Sequence, residues 1–248
     1  MSGFLEITDL SKDFGGIHAV AGFDMRLEEG GLLCIIGPNG CGKTTLFNLI
    51  TGAVRPSAGR VCFRGTDCAG LRPFEIGRLG IGRKFQVPSV YAALSVRRNL
   101  DVPLFARAGR RGLRGLLARD DGDAEAARIL ALIGLAERAE TAAGALSHGE
   151  TQWLEIGMVL TSVPRLMLLD EPTAGMTVAE TRATVRLIRR IHEEEGVATI
   201  VIEHDMGFVR ALDCPIAVML QGRIQRRGRY AEIAADPMVR EAYLGRKA

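Results

Sequence analysis

Three short apolar runs mark the chain: Leu32–Ile36, the stretch Leu166-Met167-Leu168-Leu169 inside Arg165–Asp170, and Val197–Ile202. They are continuous rather than alternating, which is the pattern of strands buried on both faces of a parallel sheet. The first third reads differently. Phe4–Leu10, Val20–Leu27 and Arg60–Phe63 have strand character, and Gly15-Gly16, Gly30-Gly31 and Pro56-Ser57-Ala58-Gly59 punctuate them as turns. Helical periodicity is expected at Lys43–Ile50, closed by Gly52, and again from about Ser95 to Val163, where no strand pattern interrupts it. Val178–Glu195 is an amphipathic helix with Val185, Ile188 and Ile191 on one side and Gly196 at its end. Ile216–Leu220, Gln221-Gly222 and Arg223–Arg227 read as a closing hairpin.

Strands alternating with helices, an antiparallel start and a helical insertion predict one α/β domain over residues 1–248. Residues 1–94 and 164–248 would form its core with a β subdomain, and 95–163 a helical subdomain. Composition narrows the class without naming it. The chain has 248 residues, 47% of them hydrophobic and 25% charged, and none of its apolar stretches reaches the roughly 18–20 residues a membrane span needs. The start, Met1-Ser2-Gly3-Phe4-Leu5-Glu6, carries no secretory pattern. Five cysteines (Cys34, Cys41, Cys62, Cys68 and Cys214), none in a Cys-x-x-Cys pair, argue against a disulfide framework or a zinc site and fit a reducing compartment. A formal charge of +3 does not by itself imply nucleic-acid binding. The segment holding Arg107, Arg110, Arg111, Arg114 and Arg119, followed by Asp120, Asp121 and Asp123, reads as a solvated charged face.

Chemistry concentrates where the first apolar run ends. Gly37-Pro38-Asn39-Gly40-Cys41-Gly42-Lys43-Thr44-Thr45 is a glycine-rich turn between a strand and a helix. Backbone N–H groups of such a turn can curl around a β-phosphate, because no Cβ obstructs them, and the helix adds its positive N-terminal end. Lys43 can reach the β- and γ-oxygens, and the Thr44 hydroxyl can ligate Mg²⁺. The second apolar run ends in Asp170-Glu171-Pro172, which can place Asp170 near that Mg²⁺ and Glu171 near the γ-phosphate and its attacking water. His204 ends the third run, at the carboxyl edge of the sheet where ligands gather. Gln86, in Arg83-Lys84-Phe85-Gln86, stands between core and helical region, within reach of Mg²⁺ or water. Leu146-Ser147-His148-Gly149-Glu150-Thr151-Gln152 has the Ser147/Glu150 spacing of a capping box, so it opens a helix whose positive end can take an anion. Cys41, beside Lys43 and just ahead of a helix N-terminus, reads either as a thiolate-prone, nucleotide-sensitive thiol or as a small filler residue of normal reactivity.

In this order the five elements resemble the ATP-binding cassette (ABC) ATPases over nearly the whole chain. The resemblance implies a P-loop NTPase core with ATP and Mg²⁺ as ligands. Gly37–Thr45 match that family's phosphate loop, Gln86 its Q-loop, Leu146–Gln152 its signature, Leu166–Glu171 its second nucleotide motif and His204 its switch histidine. Phe14 falls where the family stacks an aromatic ring on adenine. It further implies Glu171, His204 and Gln86 as catalytic residues, and Thr44, Gln86 and Asp170 around the metal. The signature residues Leu146, Ser147, His148, Gly149 and Glu150 would close on ATP held by a second ATPase subunit. Many members carry an aspartate near the position of Thr177, and its replacement puts the cross-subunit contact in doubt and favours a non-identical partner.

The segment Pro172–Thr177 and the ending Glu241-Ala242-Tyr243-Leu244-Gly245 look like the importer branch for branched-chain amino acids, amides and urea. Residues 146–158 with Arg83–Gln86 resemble its urea-type subunit. Two transmembrane permease subunits, fed by a solute-binding protein, are then implied partners, and a cytoplasmic, membrane-peripheral location follows. A non-transport cassette acting on nucleic acid or ribosomes is the alternative. It would bring a long coiled-coil insertion or a second cassette, and this sequence shows neither.

Overall fold

The computed structural model describes residues 3–84, 90–109 and 119–244, with side chains resolved outside 106–121 and 242–248. Gln86, Gly245 and the arginines at 107, 110, 111, 114 and 119 therefore carry no side-chain description here.

The three short apolar runs form the middle strands of the central sheet. Its order is β10-β9-β3-β8-β7-β6, from β3 (Leu32–Ile36), β6 (Ile81–Lys84), β7 (Leu166–Asp170), β8 (Ala198–Ile202), β9 (Ile216–Leu220) and β10 (Arg223–Gly228). Strands β6, β7, β8, β3 and β9 run parallel, and β10 returns antiparallel to β9 through Gln221-Gly222, as the closing hairpin requires. Alternation along each strand divides the core. Cys34, Ile36, Met167, Leu169, Val201 and Val218 face one side, whereas Leu33, Ile35, Leu168, Ile200, Ile202 and Met219 face the other.

The first side is covered by α3 (Val96–Gly109), α4 (Arg119–Leu132), α5 (His148–Leu160), α6 (Val178–Glu195) and α7 (Met206–Leu212). Leu100, Ile129, Leu154, Val185, Ile188 and Ile191 carry that packing, so the helical insertion shares the central core. The second side packs on α1 (Lys43–Ile50) and α2 (Pro73–Leu79), and on a four-stranded antiparallel sheet. That sheet has the order β2-β1-β4-β5, from β1 (Leu5–Phe14), β2 (Ile17–Leu27), β4 (Ala58–Phe63) and β5 (Thr66–Asp67). Two short helices, α8 (Tyr230–Ala235) and α9 (Pro237–Leu244), follow β10.

Two boundaries differ from the sequence expectation. β1 continues past Leu10 to Phe14 across register shifts, with Asp9 at φ 47°, so a bulged polar stretch extends a strand whose alternation has ended. β6, for which the apolar pattern carries no strand signal, is one of the sheet's two edge strands. Its Arg83 and Lys84 are buried because each has a carboxylate partner. Arg83 meets Asp170 at 3.1 Å and Lys84 meets Glu155 of α5 at 3.5 Å.

Candidate functional site

The chain leaving the carboxyl ends of β3 and β7 lines one cavity of about 400 Å³, formed by Ala19, Asn39, Gly40, Gly42, Lys43, Thr44, Thr45 and Glu171. Sterics dictate the turn at its base. A Cβ at Gly37 would stand 2.2 Å from the Met219 carbonyl oxygen, and one at Gly42 (φ 103°) 2.0 Å from that of Ala19. Gly40 also has a positive φ, 79°, but faces open space where a ligand can approach the backbone. Lys43 is buried, and its ammonium donates to the carbonyls of Gly37 at 2.6 Å and Pro38 at 2.9 Å. The turn thus carries a fixed positive charge, set at the first residue of α1.

The second reading of Cys41, a small filler residue, fits its packing. Its side chain is 7% exposed, and its Sγ lies only 2.7 Å from where a Gly37 Cβ would be. Burial pushes the thiol upward and outweighs the opposing pull of Lys43. The residue is a packed filler of the loop, not a thiolate.

Asp170 ends β7 fully buried. Arg83 donates to its Oδ2 at 3.1 Å and, through its other terminal nitrogen, to Asn48 of α1 at 2.6 Å. Oδ1 is buried and has no hydrogen-bond partner among the described residues. Burial raises the carboxyl above its ordinary range, against the lowering effect of Arg83. A buried carboxylate oxygen with no donor among the described residues, one residue before the Glu171 that lines the cavity, fits a hard cation such as Mg²⁺.

Glu171 takes the left-handed conformation (φ 46°), and its N–H donates to the Ile202 carbonyl at 2.9 Å, tying the β7 and β8 ends together. Its Oε1 lies 3.5 Å from Nδ1 of His204, whose side chain is half exposed. A carboxylate facing a phosphate cavity beside an imidazole can orient a water and accept its proton.

A residue that sequence reading passed over organises this corner. Glu203 is 1% exposed, and its Oε1 accepts from the Thr173 N–H at 3.0 Å and the Thr173 hydroxyl at 2.6 Å. Its Oε2 accepts from the His204 N–H at 3.1 Å. One carboxyl thereby fixes the loop after Glu171 against the loop bearing His204. An acid directly after an all-apolar strand was the only signal of it.

The Leu146–Glu150 motif opens α5 as its spacing requires. Ser147 Oγ accepts from the Glu150 N–H at 3.1 Å, and the Glu150 carboxylate accepts from the Ser147 N–H at 2.8 Å. Leu146 packs on the core, and His148 Nε2 meets the Ala174 carbonyl at 2.8 Å. None of Leu146–Glu150 lines the phosphate cavity. The fold thus brings phosphate loop, Asp170, Glu171 and His204 together and leaves the motif outside them. Phe14 is half exposed near the β1–β2 turn, with Lys12 Nζ 4.9 Å from its ring centroid. The hairpin reaches the phosphate loop through Ala19 of β2. Thr177 proves to be the N-cap of α6, exchanging hydrogen bonds with Glu180 in a second capping box. Threonine caps the helix there and, unlike an aspartate, also donates its hydroxyl to the Glu180 carboxylate at 2.8 Å.

Comparison with known proteins agrees with this geometry. The ABC transporter family model matches residues 20–174. The high-affinity branched-chain amino acid transport ATP-binding protein BraF of Pseudomonas aeruginosa is 36% identical, with 97% of each chain covered. The probable branched-chain amino acid transport ATP-binding protein LivG of Archaeoglobus fulgidus is 31% identical over 97% of this chain and 95% of its own. Among solved structures, an ATP-binding cassette of an ABC transporter in its ADP conformation superposes with a TM-score of 0.86 at 29% identity, covering 99% of this chain and all of the other. A nucleotide-free cassette gives 0.85 at 30% identity, over 98% of this chain and 100% of the other. The phosphate loop, the carboxylate pair at the end of β7 and the capped motif of α5 thus sit on a fold shared from end to end, and this chain belongs to the ABC transporter family as one of its ATP-binding cassettes.

Proposed function

We propose that this chain is the ATP-hydrolysing subunit of an importer for small nitrogen-containing solutes. The observation that carries the reading is the cavity in which Lys43, Thr44 and Glu171 face one another across a glycine turn. In this reading the backbone N–H groups of Asn39–Thr45 and the Lys43 ammonium hold the β- and γ-phosphates, and Phe14 stacks on the adenine. Glu171 orients the attacking water and takes its proton while the bond from the γ-phosphorus to the β-bridging oxygen breaks. His204 touches the γ-phosphate and steadies Glu171. Asp170 Oδ1, the Thr44 hydroxyl and Gln86, the last outside the described residues, would hold Mg²⁺. The ion would neutralise charge on the β- and γ-oxygens. No group of three or more His, Cys, Asp or Glu forms a ready-made metal cage among the described residues, in keeping with a cation that arrives with the nucleotide.

The same reading makes the site a shared one. Ser147 and Gly149 of a second ATPase subunit would complete each ATP site, and a non-identical partner is favoured. The helical lobe of residues 95–163 would pass closure to two permease subunits supplied by a solute-binding protein. No helix among the described residues is long and apolar enough to cross a membrane, consistent with a peripheral place on the cytoplasmic face. The names of BraF and LivG support branched-chain amino acids as cargo, whereas residues 146–158 with Arg83–Gln86 support urea. Reconstitution with the permeases and binding protein tests this. Stimulation of ATP turnover by leucine-loaded binding protein supports the first cargo, by urea the second, and by neither refutes the solute class.

A further inference from the structure

The positive end of the signature helix is already occupied, and by this chain itself. α5 has 13 residues, and its N-terminus gathers unpaired N–H groups that favour a negative charge. Glu180 supplies one from the first turn of α6. Its Oε1 accepts from the Ser147 hydroxyl at 3.3 Å and lies 2.5 Å from where a Gly149 Cβ would stand, so the glycine makes room for the carboxylate and is buried beneath it. Its Oε2 accepts from the Thr177 N–H at 2.9 Å and hydroxyl at 2.8 Å. The Thr177 contacts, then those from Ser147 and the Gly149 N–H, hold the carboxyl below its ordinary range. A helix cap alone would use only Thr177. Ser147 and Gly149 belong to a different helix, and they are the groups that the shared-site reading assigns to the partner's γ-phosphate.

Two anions on that seat repel at hydrogen-bond distance, and closure against a second cassette would remove the water that screens them. We infer that Glu180 is the resident anion of the signature helix, and that closure of two cassettes is an anion exchange in which the partner's γ-phosphate displaces it. This inference rests on the shared-site reading above. Glu180 follows the loop that begins at Glu171, so its release would loosen the clasp of Thr177 and of His148 on Ala174. Arrival of the partner's ATP would then be felt at the chain's own catalytic loop.

Glu180→Gln isolates the charge, since glutamine serves a capping box as glutamate does. It is to be introduced into the slow-turnover Glu171→Gln chain, and association followed by sedimentation velocity with MgATP or MgADP across protein concentrations. The expected result is half-association at a protein concentration lower by roughly two- to fivefold for each signature site, the range of a carboxylate at a helix N-terminus. MgADP should leave both proteins monomeric. An unchanged or higher concentration, with Glu171→Gln itself associating, overturns the role of Glu180 alone. Failure of both proteins to associate with MgATP overturns pairing of two copies of this chain through the shared site, and the exchange between them with it. A second measurement needs no partner. Hydrogen exchange at the Gly149 amide should quicken in Glu180→Ala relative to wild type without nucleotide, and equal rates would contradict the contact.

Discussion

Glu203 offers the sharpest test of how the catalytic corner is held. Its carboxyl accepts three hydrogen bonds from two loops, within a site that leaves it 1% exposed. Glu203→Gln preserves shape but turns one acceptor into a donor. An amide oriented to accept from Thr173 sets its NH₂ against the His204 N–H, and the flipped amide sets it against the Thr173 N–H. Either way one buried donor loses its partner, at a cost of about 1–3 kcal/mol, and the remaining bonds lose their charge assistance. At about 2–4 °C per kcal/mol for a chain of this size, the melting temperature should fall by roughly 2–12 °C. Thr173 lies two residues beyond Glu171, and His204 directly follows Glu203. A shift in either loop therefore moves Glu171 and His204, to which the proposed function gives the orienting of the water, and displacement of about 1 Å is worth up to 10²-fold in rate. Phosphate release at saturating ATP should drop about ten- to hundredfold, while nucleotide affinity, set at Lys43 and the glycine turn, stays within about threefold. Thr173→Ser keeps both donors and should turn over like wild type, whereas Thr173→Val removes the hydroxyl and should follow Glu203→Gln. A folded Glu203→Gln protein with wild-type turnover would refute the reasoning.

Thr177→Ala should destabilise by about 1 kcal/mol through loss of the α6 cap, while Thr177→Ser, which keeps the hydroxyl that caps the helix and donates to Glu180, should be close to neutral; chemical denaturation distinguishes them, and equal loss in both would argue against the capping role. Cys41 should react with maleimide slowly at neutral pH even without nucleotide, because burial raises its thiol; rapid labelling in the folded protein would contradict that packing. Glu150 is held below its ordinary value of 4.5, first by the Ser147 N–H and then by Arg138. Its contribution to stability is therefore fully present above pH 4.5 and lost as pH falls through the depressed folded value. Glu150→Gln should flatten the acid side of the melting-temperature profile, and an unchanged acid slope would count against it.

Much of this was legible in the residues. Lys43–Ile50 and Val178–Glu195 run between the limits their caps and closing glycines set, and the all-buried strands β7 and β8 follow unbroken apolar runs. β6 was not legible, because Ile81-Gly82-Arg83-Lys84 reads as a polar connector until Asp170 and Glu155 supply the charges that let it be buried. Glu203 and Glu180 escaped for the same reason. Each is an ordinary acid locally, and its meaning comes from Thr173 or Ser147, brought near only by the fold. The Thr177-x-x-Glu180 spacing is itself a capping signature, and it explains why threonine can stand where an aspartate was expected. At Cys41 the residues left two readings open, and burial decides for the filler, since a helix N-terminus and a neighbouring lysine favour a thiolate only where water can reach it.

The central claim is that one chain holds two half-sites, a phosphate cavity and a signature helix, which only a second cassette can join. Sedimentation of the Glu171→Gln protein with MgATP and with MgADP, beside the same protein carrying Ser147→Arg, tests it most directly. Association with MgATP alone, abolished by Ser147→Arg while ATP still binds, is the predicted result. A demonstrably monomeric wild-type chain whose specific ATPase activity does not vary with protein concentration would contradict it.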